Sequence, residues 1–189
     1  MNVVESAAPR RRLIGLVGPP GVGKSALAAR LAAAEPSAAA LPMDGFHLPQ
    51  ARLIELDRRD RMGAPDTFDV DGFARVLRAL RTEATVVAPS FDRAIEEPVA
   101  GGITITPDVL TVYVEGNYLL LWDGIAELLD ETWYLELDPE VRRKRLLERH
   151  VTGGKSPDAA AAWVRDVDEP NAVVIAASAA RATRRLAVD

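Results

Sequence analysis

The octapeptide Gly18-Pro19-Pro20-Gly21-Val22-Gly23-Lys24-Ser25 stands between an apolar run, Leu13 to Val17, and an alanine-rich, helix-forming stretch, Lys24 to Ala34. No other part of the chain restricts the fold as much. A buried strand has to turn into a helix within a few residues, and glycines in the turn let the backbone aim several N–H groups at one point. The spacing G-x-x-x-x-G-K-[ST] in that context describes a cradle for a phosphate chain. Backbone N–H groups hold anionic oxygens, Lys24 reaches the β- and γ-phosphates, and the Ser25 hydroxyl meets a magnesium ion. The residues expected to hold nucleotide here are Gly18, Pro19, Gly21, Val22, Gly23, Lys24, Ser25 and Ala26.

The rest of the chain fits such a cradle. Apolar, β-rich segments alternate with helical ones, which predicts an α/β class: a three-layer α/β/α fold with a mainly parallel sheet. A strand ends near Met43, an irregular polar stretch runs from Asp44 to Val70, and a helix follows with Phe73, Val76, Leu77 and Leu80 on one face and Asp71 as its cap. Gly101-Gly102 between two extended runs predicts a hairpin. Buried strands are expected at "LTVYVEG" and "TWYLELD", and Asp138-Pro139 opens a further helix. At 189 residues the chain fits one domain, residues 1–189, with residues 1–9 as a loose tail.

Composition removes several function classes. A 48% hydrophobic and 27% charged composition is globular, and 23 Lys+Arg against 28 Asp+Glu leave a net charge of -5, against a broad nucleic-acid footprint. The absence of cysteine excludes disulfides and thiolate chemistry and suits a cytoplasmic location. Arg10, Arg11 and Arg12 precede an apolar run too short for a secretory signal, and no stretch is long enough to predict a membrane span.

A cradle alone does not choose between a switch, a motor and a kinase. Ligands of open α/β sheets collect at the carboxyl ends of the strands, where "PMDGFH" places Asp44 and "VYVEGN" places Glu115. Two carboxylates beside one phosphate site can divide the work, one as base for a substrate hydroxyl and one at the metal. His47 and Arg61 lie in the irregular stretch where an acceptor is expected, and Arg93 follows "PSFD". Phe46, Phe68 and Tyr118 are candidates to line that pocket, and His150 is expected as a helix-terminal cation.

In this order "GPPGVGKS", "MDGFH", "APDTFD" and "VEGNYLL" resemble the uridine kinase, phosphoribulokinase and pantothenate kinase family of P-loop kinases. The resemblance implies Asp44 as catalytic base, Asp69 as a substrate-contacting aspartate, and Glu115, with Ser25, at the metal. It also implies that Arg142, Arg145 and Arg149, which recur on one helix face, lead into a lid over the triphosphate at about residues 142–156. The expected roles are therefore catalysis by Asp44, Lys24 and Arg145, and nucleotide binding by the cradle with Arg142 and Arg149. Acceptor binding falls to Asp44, His47, Arg61, Asp69, Arg93 and Tyr118.

The implied cofactors are ATP and Mg2+ and the implied partner is a small-molecule substrate, with no nucleic acid and no membrane; a homodimer stays open. "MDGFH" is nearer the pantothenate kinase form and "PDTFD" nearer the uridine kinases, so sugar, nucleoside and pantothenate-like acceptors all remain. The rival expectation is a regulatory P-loop ATPase with no small-molecule acceptor.

Overall fold

The computed structural model describes residues 10–189, so the tail expected at residues 1–9 lies outside the described residues. In chain order the strands are β1 (Arg12–Val17), β2 (Ala38–Pro42), β3 (Val86–Asp92), β4 (Glu97–Ile105), β5 (Thr111–Gly116), β6 (Glu131–Glu136) and β7 (Arg184–Ala187). The helices are α1 (Lys24–Ala34), α2 (Gln50–Glu55), α3 (Val70–Thr82), α4 (Pro139–Thr152), α5 (Pro157–Trp163) and α6 (Glu169–Ala177).

Five strands form one sheet in the order β2-β5-β1-β6-β7, and every pairing in it is parallel. Alternation along β1 shows why both faces must be covered. Leu13 and Val17 join the large core with Phe73, Leu77 and Ile175, whereas Ile14 and Leu16 pack with Ala28 of α1. Burial on both sides explains the continuous apolar character of β1 and β5. The result is the three-layer α/β/α fold of the P-loop NTPases. Among the described residues no helix is long and apolar enough to cross a membrane.

Two local expectations are corrected. The cap of α3 is Asp69 rather than Asp71: its Oδ1 accepts a hydrogen bond from Gly72 N at 2.8 Å. The glycine pair is not the hairpin turn. Gly101 and Gly102 lie inside β4, at the register shift opposite Ala88 and Ser90, and the turn spans Arg93 to Glu96. A Cβ on Gly102 would sit 2.0 Å from Ser90 Oγ, so the glycine there permits close strand approach. The β3–β4 ribbon is a separate antiparallel sheet lying against the 3₁₀ turn Met43–Phe46.

The irregular stretch after β2 contains α2 and short 3₁₀ turns at Arg59–Arg61 and Pro65–Thr67. Asp138 caps α4 through Glu140 N and Val141 N, with Pro139 in its first position. A π-helical turn, Val164–Asp168, joins α5 to α6.

Candidate active site

Gly21 and Gly23 adopt φ of 81° and 99°, a region open to glycine at little cost, and the Gly23 conformation starts α1 without any side-chain cap. The first N–H groups of α1 are thereby left for a ligand. Lys24 is buried, 8% exposed, and its Nζ donates to Pro19 O at 3.1 Å. Burial lowers its pKa to about 8, against the opposing pull of Glu115 and Asp44.

Glu115 is the penultimate residue of β5 and is buried, and its Oε1 accepts a 2.7 Å hydrogen bond from Ser25 Oγ. Burial, then the nearby Asp44, pushes its pKa up. Two hard oxygen donors, one ionisable, fit magnesium, which takes few protein ligands and fills its shell with phosphate and water. Asp44 lies in the 3₁₀ turn after β2, and its Oδ2 accepts from Arg93 Nη2 at 2.5 Å. Arg93 itself sits at the start of the β3–β4 turn.

The three arginines on one face of α4 divide. Arg145 and Arg149 line the same cavity as Lys24, Ser25 and Asp44, a space of about 380 Å3. Burial lowers the pKa of Arg149. Arg142 does not line this cavity. It is 4% exposed, donates to Pro20 O at 3.2 Å and pairs with Glu169, so it ties the phosphate loop to α4 and α6.

The acceptor-side residues divide as well. His47 and Arg93 line the cavity; Arg61, Asp69 and Tyr118 do not. Arg61 is held by both oxygens of Asp66, at 2.8 and 2.6 Å. Asp69 is engaged in capping α3. Tyr118 is fully buried beside Phe68 and Trp122, and its hydroxyl donates to Gly63 O at 2.5 Å. His47 stacks on Phe68 with centroids 4.0 Å apart, and burial lowers its pKa. Phe68 lines the cavity and Phe46 is core.

The sequence reading missed Arg59, Glu96, Asp168 and Asn171, all of which face the cavity. Asp168 is buried and bonded to His150 Nε2 at 2.8 Å, which makes His150 part of the cavity wall rather than a simple helix-terminal cation. Only the π-helical turn could have signalled Asp168, and no periodicity in the sequence announces it.

No family model matches the chain. It is 44% identical over 133 residues to an ATP-dependent kinase-like protein, notR', of Aspergillus versicolor, an alignment covering 64% of this chain and 77% of that protein. It is 40% identical over 164 residues to a candidate uridine kinase of Schizosaccharomyces pombe, covering 77% and 68%. A solved structure, a candidate fructose transport system kinase from Silicibacter sp. TM1040, superposes with a TM-score of 0.88 at 35% identity, over 98% of this chain and 93% of that one. The parallel sheet, the glycine cradle and these relatives lead to one conclusion: the chain belongs to the uridine kinase, phosphoribulokinase and pantothenate kinase family of P-loop kinases, ATP-using phosphotransferases that act on small molecules.

Proposed function

We propose that the protein transfers the γ-phosphoryl group of ATP to a hydroxyl of a small metabolite, a sugar, a nucleoside or a pantothenate-like compound, with Asp44 as the base. The supporting observation is the shared cavity. Lys24 and Ser25 line it, and Asp44 is near enough to Lys24 to oppose in part the lowering of the lysine pKa by burial, while His47 and Arg93 line the same cavity. An Asp44 oxygen takes the acceptor proton as the hydroxyl oxygen bonds the γ-phosphorus; the bond to the β-bridging oxygen breaks and ADP leaves with its electron pair. Lys24, Arg145 and Arg149 bear the charge on the phosphates. Ser25 and Glu115 would hold magnesium, which neutralises phosphate charge when bound.

Asp44→Asn tests the reading. It keeps the size of the side chain but removes the basic oxygen. With the acceptor present, kcat is expected to fall by roughly 10² to 10⁴ while the Kd for ATP, read by calorimetry, stays unchanged. An unchanged kcat assigns the base elsewhere, and ATP turnover that no acceptor stimulates returns the protein to the regulatory ATPase expectation.

A further inference from the structure

We infer that Glu169 is a positioning residue for nucleotide binding, acting through Arg142 on the peptide that joins Pro20 to Gly21. The inference concerns the nucleotide end of the reaction proposed above and does not depend on which group serves as base. Glu169 opens α6 and does not line the cavity; neither does Arg142. The two side chains form an ion pair in which the arginine is 5% exposed, and Arg142 Nη1 donates to Pro20 O at 3.2 Å. Arg143 stands 3.7 Å from the other oxygen of Glu169. The phosphate loop is seated on α4 at this place: a Cβ on Gly21 would lie 2.7 Å from Leu146 Cγ and 3.0 Å from the carbonyl oxygen of Arg142.

Donors are scarce in this part of the loop. Pro19 and Pro20 have no N–H, and the Val22 N–H is engaged by Pro19 O at 3.3 Å. The first N–H after the prolines is that of Gly21, and it meets no acceptor among the described residues. Its direction is set by the carbonyl of the same peptide. The described residues contain no cis peptide, and in a trans peptide the C=O and the N–H point opposite ways. Pro20 O is held from the Arg142 side, so the Gly21 N–H is turned away from that arginine and toward the cavity that Gly21 lines. A backbone donor aimed at an anionic oxygen is what a phosphate cradle needs there. Glu169 keeps the anchor in place. A buried guanidinium deprived of its carboxylate is drawn toward water or toward the phosphates, and it then releases Pro20 O and the peptide plane. Charge alone predicts the opposite effect, since removing a carboxylate from the neighbourhood of a polyanion tightens anion binding. The sign of the change therefore separates positioning from electrostatics.

The test measures Kd for ATP and for inorganic tripolyphosphate, both with magnesium, by calorimetry on the full chain well below its melting temperature. Glu169→Ala is expected to weaken both ligands about tenfold, the effect of misaligning one charge-assisted hydrogen bond. Glu169→Gln keeps an oxygen that accepts from Arg142 Nη2, and its Kd values are expected to stay within about threefold of the native ones. Arg142→Met fills the space with no charge to bury, so it carries the test even where Glu169→Ala does not fold, and it is expected to weaken both ligands by a similar factor. Joined with Glu169→Ala it is expected to add nothing further, because the carboxylate acts through the arginine. An unchanged or tighter Kd in either single variant overturns the inference. So do losses that add in the double variant, and so does a loss for ATP that tripolyphosphate does not share. None of these outcomes touches the kinase reading, which is tested by acceptor-dependent turnover of the native chain.

Discussion

Lys24 carries two opposed demands. Its ammonium has to be ready for phosphate, yet it is buried, with one carbonyl, Pro19 O, as its hydrogen-bond partner. Burial is the first cause of the fall in its pKa from 10.5 to about 8, a cost of about 3 kcal/mol to the folded state at neutral pH. Because the folded value lies below the unfolded one, the unfolded chain binds more protons between about pH 8 and pH 10.5, and stability rises with pH across that window. Lys24→Met is expected to raise the melting temperature at pH 7 and to flatten that rise, as urea titrations at several pH values will show, while losing ATP binding. Phosphate restores the reason for the charge. Nucleotide affinity of the native chain is therefore expected to be level below pH 8 and to weaken above it, with proton uptake measurable by calorimetry in buffers of different ionisation enthalpy. A variant no more stable than the native chain would mean that the ammonium is better solvated than its burial implies.

At the scale of elements, the site depends on how the β3–β4 ribbon meets the 3₁₀ turn that carries Asp44. Gly45 is the point of contact: a Cβ there would lie 2.2 Å from Pro89 O and 2.8 Å from Pro89 C, both backbone atoms that cannot swing aside. Gly45→Ala has to push the ribbon, and Arg93 with it, away from Asp44. An error of about 1 Å in such a constellation costs roughly 10² in rate. We expect kcat to fall by about that factor in single-turnover measurements, with ATP affinity retained because α1 and its glycines are untouched. The glycine was visible in "MDGFH", but its reason was not, because the ribbon that crowds it lies more than forty residues downstream. The same divide runs through the whole reading. β1, α1 and β5 were legible because strand burial, the turn glycines and the helix start are local, and they bring Lys24, Ser25 and Glu115 with them. Arg142, Arg61 and Tyr118 looked like ligand groups because each bears a polar end near a promising segment. Their long-range partners, Glu169 and Pro20 for Arg142 and Gly63 for Tyr118, and the nearby Asp66 for Arg61, cannot be read from composition or period.

The whole molecule is polar in function, with the site at the carboxyl ends of the parallel strands and the structural fastening at their amino ends. Arg11, immediately before β1, is 1% exposed. Its guanidinium donates to Val109 O at 3.2 Å, to Leu80 O and Glu83 O at 3.1 and 2.6 Å, to Thr106 O at 3.2 Å and to Ala84 O. All five partners are main-chain carbonyls. They belong to the end of α3 and its exit, and to the turn between β4 and β5, so one side chain gathers two connections around the start of the central strand. In the sequence it stood within Arg10-Arg11-Arg12, three residues of equal appearance, of which Arg12 is instead a half-exposed partner of Glu131. Arg11→Met keeps much of the apolar stem and leaves the carbonyls without donors. Hydrogen bonds to a charged group contribute about 1.5–3 kcal/mol each, and water entering the vacated space recovers part of that, so a net loss of at least about 3 kcal/mol is expected. Because the fastening lies at the opposite pole from Lys24 and Asp44, kcat per folded molecule is expected to stay unchanged below the lowered melting temperature. Chemical denaturation paired with active-site titration separates the two quantities. A fall in kcat at full folding would show that the amino ends of the strands set the geometry of the catalytic ends, and the division between fastening and chemistry would not hold.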